Sequence, residues 1–85
     1  MLEIVNRVEA KVLTGYALHY GRSKKPLLFV VPDSEYPAMY RVLQLDGQLS
    51  GMLNLTRARE LGGILGARAV PAGNQRLLHW EIGSR

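Results

Sequence analysis

Residues 40–60 read YRVLQLDGQLSGMLNLTRARE. Two arms rich in apolar residues flank Asp46-Gly47, a dipeptide suited to a tight reversal because both positions accept positive φ. A two-residue type I′ turn at this point sets Leu45 opposite Gln48, Leu43 opposite Ser50, and Arg41 opposite Met52. It also sets Gln44 opposite Leu49, Val42 opposite Gly51, and Tyr40 opposite Leu53. Directly opposed residues share a face of the sheet. One face then carries Tyr40, Val42, Leu49 and Leu53, and reads as core. The other carries Arg41, Gln48 and Ser50 among Met39, Leu43, Leu45 and Met52, and its mixed character makes it a candidate surface for a partner.

A helix follows the hairpin. Thr56 is a good N-cap, with Asn54 the alternative, since either side chain accepts from a free N–H of the first turn. Leu55, Ala58, Leu61 and Leu65 recur at three- and four-residue spacing and form the expected buried stripe. Arg57, Arg59 and Glu60 fall on the wet side. Gly62, Gly63 and Gly66 weaken the far end, so the spacing predicts a stop between Gly62 and Gly66. Helical glycines also allow another element to come close.

The rest of the chain adds strands. LLFVV at 27–31 is a continuous apolar run between two prolines, as a buried strand requires. In RLLHWEI at 76–82, Leu78, Trp80 and Ile82 alternate with Leu77, His79 and Glu81, which gives a strand with one apolar face. PDSEYP at 32–37 and PAGN at 71–74 are turn chemistry. Ile4, Val5, Val8, Val12 and Leu13 lie near one side of a helix over about residues 3–13. Residues 12–26 fit helix, strand or loop. YGRSKKP at 20–26 holds the one cationic cluster, Arg22, Lys24 and Lys25, and reads as an exposed loop. The expected fold is α+β: a small antiparallel sheet of three to four strands packed on one or two helices, in a single domain over residues 1–85.

Composition narrows the chemistry. The chain has 85 residues, 47% of them apolar, which is globular rather than disordered. It contains no cysteine, so disulfides, thiolate metal sites and a cysteine nucleophile are excluded. Small secreted domains usually carry disulfides, and no signal-peptide plan opens the chain, so a cytoplasmic setting is expected. No apolar run approaches the roughly 18–20 residues that span a bilayer.

Net charge is +4, and every cationic side chain after residue 37 is an arginine. Arginine makes the bidentate contacts to phosphate and base edges that lysine does not. A coding bias toward arginine gives the same pattern without any ligand.

No catalytic arrangement is legible. His19 and His79 are 60 residues apart in sequence, with no HEXXH or HXH pattern around either. Asp33 and Glu35 sit in a turn that offers a general acid–base pair little burial. The serines lack a nucleophile-elbow context. LGGILGARAVPAG lacks the Gly-Lys-Ser/Thr ending of a phosphate loop. The six aromatics are scattered rather than interleaved with basic residues as a single-strand platform has them. The expectation is a non-enzyme without metal or cofactor.

The segment MYRVLQLDGQLSGMLNLTRARE resembles a pattern in short proteobacterial proteins, some of them tied to mobile elements. Their hairpin runs aromatic-Arg-Val, Asp-Gly, then Leu-Ser-Asp-Met-Val-Asn-Leu-Thr-Arg-Ala. The matching residues here are Met39 to Arg41, Asp46-Gly47, Leu49-Ser50, Met52 and Asn54 to Ala58, with Gly51 where that pattern has Asp. The strand–turn–strand–Thr-helix order is also similar to the amino-terminal DNA-binding domains of phage integrases and to plant APETALA-type domains. That second resemblance implies a three-stranded sheet reading the major groove. It points to Arg41, Gln48 and Ser50 as base readers, with Arg57 or Arg59 on phosphate. Arg22, Lys24 and Lys25 are further candidates for phosphate contact.

Two readings therefore stand side by side. One is a small nucleic-acid-binding accessory module, with DNA as partner. The other is a protein-interaction or homo-dimer module, favoured by the apolar content of Met39, Leu43, Leu45 and Met52 on the same face.

Overall fold

The computed structural model describes residues 15–82. The helix expected over residues 3–13, and the last three residues, lie outside them.

Among the described residues, five strands form one antiparallel sheet, one or two more than the sequence predicts. They are β1 (Tyr16–Tyr20), β2 (Leu28–Pro32), β3 (Met39–Gln44), β4 (Leu53–Asn54) and β5 (Leu78–Ile82), in the order β4-β3-β2-β1-β5. Helix α1 (Leu55–Arg68) lies across one face of the sheet, and a short 3₁₀ turn (Gln75–Leu77) leads into β5.

β2 and β5 fall where the apolar run and the alternating run predict them. β1 settles part of the segment that the sequence leaves open. Tyr16 and Tyr20 are strand residues on one face, and residues 21–27 form the connecting loop. The PAGN segment turns as expected, with Gly73 at φ 89° and the Asn74 N–H donating to the Pro71 carbonyl.

The registers define two faces. Tyr16, Val30 and Val42 are opposed in turn, as are Leu18, Leu28 and Gln44, and Trp80 lies opposite Leu18. This face meets α1. Its centre is Leu18, Leu28, Val30, Val42 and Ala58, with Tyr16, Tyr40, Leu53, Leu61, Leu65, Leu78 and Trp80 packed around it. The second face carries Ala17, His19, Phe29, Val31, Arg41, Leu43, His79 and Glu81.

The hairpin at Asp46-Gly47 differs from the predicted one. Gln44 donates to the Gln48 carbonyl, and the Gly47 N–H donates to the Gln44 carbonyl. The loop is therefore Leu45-Asp46-Gly47, three residues rather than two, closing with Gly47 at φ 94°. This is the type I turn plus left-handed glycine that three-residue hairpins use.

The extra residue shifts the register, so Leu43 pairs with Leu49. A one-residue slip moves a side chain to the other face. Leu49, expected in the core, is 51% exposed on the second face. A compensating extra residue among Ser50, Gly51 and Met52 restores Tyr40 opposite Leu53, as predicted. Tyr40, Val42 and Leu53 accordingly pack on the core.

The helix also departs from expectation at both ends. Asn54, not Thr56, is the N-cap: its Oδ1 accepts from the Arg57 N–H at 2.8 Å. The helix does not stop at the glycines but runs on to Arg68. Its fully buried positions are Ala58, Gly62 and Gly66, one turn apart along a single line, while Leu55, Leu61 and Leu65 flank that line half-buried. A Cβ on Gly62 would stand 2.8 Å from Trp80 Cη2, and one on Gly66 would collide with Leu18 Cδ2. The glycines are kept inside the helix, at a cost in propensity of about 1 kcal/mol each, because the sheet's large side chains occupy the space.

Candidate functional site

The second face of the sheet holds a cavity of about 610 Å³ at the end where β2 leaves for β3. Val31, Leu43, Leu49 and Met52 form its apolar walls, and the 33–36 loop with Arg41 forms its polar side. Leu49, Met52 and Tyr36 are exposed.

Asp33 organises the polar side. Its Oδ2 accepts from the N–H groups of Glu35 (2.9 Å) and Tyr36 (3.1 Å), which fixes the loop as an Asx turn. Its Oδ1 accepts from Arg41 Nε at 2.8 Å. Arg41 Nη1 in turn donates to the Ser50 carbonyl at 2.9 Å. One guanidinium thus ties the β2–β3 loop to the returning arm of the hairpin. The Asp33 side chain is 8% exposed and that of Arg41 is 31% exposed.

Arg41 first, and then the Glu35 N–H, hold the Asp33 carboxyl below its ordinary value of 3.8. A carboxyl whose pKa is lower in the folded state stabilises the fold above its unfolded value, and that contribution fades as pH falls through the folded value. Asp33→Asn is therefore expected to lower the melting temperature at neutral pH. The gap to wild type should close as pH drops below 3.8. A gap that persists unchanged at the acid end would show that the charge on Asp33 does not hold the loop.

Ser50 is consumed by the fold. Its Oγ accepts from the Val42 N–H at 2.8 Å and donates to the Gly51 carbonyl at 2.9 Å. The side chain takes the Val42 N–H where the inserted residue disrupts the ladder. Gln48 is exposed at the hairpin turn. Arg41, Gln48 and Ser50 thus do not form a row of free side chains on the reading face, which corrects the arrangement implied by the hairpin register.

The other candidates are spread over the molecule. Arg22, Lys24 and Lys25 are exposed on the β1–β2 loop. The registers put that loop at the Gln44 end of the sheet, away from Arg41. Arg57 and Arg59 ride on α1, across the sheet from the cavity. Arg59 does not simply point to water: its guanidinium lies 5.3 Å from the Tyr16 ring centre and 5.6 Å from that of Trp80. There it shields aromatic surface through a cation–π interaction.

One cluster goes beyond the sequence reading. His19 and His79, opposed on β1 and β5, stack with ring centres 5.8 Å apart. Glu81 reaches both, with Oε1 3.7 Å from His19 Nε2 and Oε2 3.1 Å from His79 Nε2. His19 Nδ1 lies 3.2 Å from the Ser23 carbonyl, so it also ties down the cationic loop. The alternation of 78–82 is the one signal of it, because it places His79 and Glu81 on one face. Among the described residues, no group of His, Cys, Asp and Glu is arranged to hold a metal ion.

These features define a class: a small α+β protein whose described residues form a five-stranded antiparallel sheet, covered by one helix and bearing a cavity with apolar walls on its other face. Among the described residues, no helix is long and apolar enough to cross a membrane. In comparisons with protein-family models, curated proteins and solved structures, nothing matches this chain.

Proposed function

We propose that this protein is a non-enzymatic interaction module that docks a polypeptide segment on the cavity face of its sheet. The observation that carries this reading is the apolar cavity rimmed by exposed Tyr36, Leu49 and Met52 beside an arginine already fixed by its own neighbours. Pockets of this kind take one apolar group and use a few polar atoms to orient it. Asp33 and Arg41 neutralise each other, so Glu35 is the remaining charge of the lining. The matching segment presents an apolar side chain next to a basic one. A cytoplasmic setting fits a chain without cysteine.

Selection from a displayed peptide library, with Leu49→Asp as the counter-target, tests this. The selected peptides should share an apolar–basic pair, shift the methyl NMR signals of Leu43, Leu49 and Met52, and bind Leu49→Asp about tenfold or more weakly. Peptides that bind both proteins equally, or map to α1, would overturn the reading.

DNA remains the second reading, on the exposed Arg22, Lys24 and Lys25 of the β1–β2 loop and the net charge of +4. It no longer leans on Arg41, whose Nε and Nη1 are committed within the chain. Duplex affinity that falls with salt and weakens in a Lys24→Ala, Lys25→Ala double variant would favour it. The salt slope should drop by about one for each phosphate that the variant no longer neutralises.

A further inference from the structure

The two edges of the sheet are built differently. β4 is only two residues long and follows the inserted residue at Ser50–Met52, so that edge is blunted. β5 is five residues long and pairs with β1 over its whole length without a bulge. It contains no proline and no lysine, and Glu81 is the one charged side chain that guards this edge. Among the described residues, no strand pairs with its outer side.

The hydrogen-bond phase of that edge is fixed. The Gly21 N–H donates to the Leu77 carbonyl at 2.9 Å, and this pair continues the β1–β5 register by one residue. In an antiparallel ladder, bonded and non-bonded pairs alternate. Leu77, His79 and Glu81 therefore turn their backbone groups toward β1. Leu78, Trp80 and Ile82 turn theirs outward.

We propose that β5 pairs with β5 of a second copy, antiparallel about a two-fold axis at Trp80. Backbone groups of Leu78, Trp80 and Ile82 in one copy then meet those of Ile82, Trp80 and Leu78 in the other. On the helix side of the sheet, Leu78 of each copy faces Ile82 of the other, which covers an isoleucine that is 74% exposed in the single chain. Trp80 faces its own counterpart. On the cavity side, His79 of each copy faces Glu81 of the other, in the non-bonded pairs where side chains approach most closely, beside the 3.1 Å His79–Glu81 contact within each copy.

The residue order selects this register. An axis at Glu81 would set carboxylate against carboxylate, and an axis at His79 would set imidazole against imidazole. A one-residue slip would set apolar residues against polar ones. The axis at Trp80 makes every opposed pair compatible, and such self-complementarity is what a two-fold interface demands. This inference does not depend on the peptide reading of the cavity, which lies toward the other edge of the sheet.

Analytical ultracentrifugation of the full chain across a concentration series tests it. The native chain is expected to show a reversible monomer–dimer equilibrium. Ile82→Pro removes an outward N–H without touching the β1 ladder and should abolish the dimer. His79→Glu, which opposes two carboxylates, should weaken it about tenfold or more. The exchange His79→Glu with Glu81→His should restore it to within about threefold, since each compatible polar pair across strands is worth up to about 1 kcal/mol. Leu49→Asp should leave it unchanged. Circular dichroism checks that each variant keeps its fold, and the restored double variant excludes simple misfolding. A native chain that stays monomeric throughout, a dimer indifferent to Ile82→Pro and His79→Glu, or a dimer broken by Leu49→Asp would overturn the proposal.

Discussion

Leu18→Ala is expected to destabilise the protein by about 2–5 kcal/mol, toward the upper part of the range for such truncations. Leu18 is 2% exposed, among the most buried side chains of the described fold. It lies between Leu28 on the neighbouring strand and the glycine line of α1. The cost of a cavity depends on how far its walls can collapse. Gly66 directly above has no side chain to move in, and Trp80 on the other side already packs against Gly62. For a domain this small, the loss corresponds to a fall in melting temperature of roughly 10–40 °C. Chemical denaturation of the variant checks it. A loss below about 1 kcal/mol would mean that the helix settles onto the sheet more freely than the packing implies.

The same seam is also sensitive from its helix side. Gly66→Ala gains about 1 kcal/mol of helix propensity. It also places a Cβ against Leu18 Cδ2, and overpacking of a rigid core costs about 1–3 kcal/mol. The net expectation in the native background is a loss of up to about 2 kcal/mol. In the Leu18→Ala background the obstacle is gone, the new methyl group partly fills the cavity, and the same change should stabilise by about 1 kcal/mol. The sign reversal is the test: the two substitutions should couple by about 1–3 kcal/mol in a double-mutant cycle. Additive effects would show that helix and sheet do not meet at this point.

The hairpin shows why parts of the site are legible in the sequence and others are not. The Asp-Gly reversal, the apolar run of β2 and the alternation of β5 depend on local backbone preference and local pattern, and each appears where the residues predict it. The loop length at Gly47 does not follow from Asp-Gly alone, because two- and three-residue turns both accept glycine at positive φ. That one residue decides whether Leu49 enters the core or rims the cavity. Arg41 is recognisable as a residue of the second face, whereas its partner Asp33 reads as part of a solvated turn. Only the pairing of Val31 with Arg41 brings the 33–36 loop over the guanidinium.

The sequence by itself determined the kinds of elements, most of their positions, and the exclusion of disulfide and thiolate chemistry. Those properties follow from composition and from interactions within a few residues. The tertiary structure alone decided the stacking of His19 on His79, the seating of Gly62 and Gly66 on Trp80 and Leu18, and the hydrogen-bond phase of the β5 edge. Each of these joins residues far apart in the chain, which meet only once strand order and register are chosen by the burial of the whole sheet.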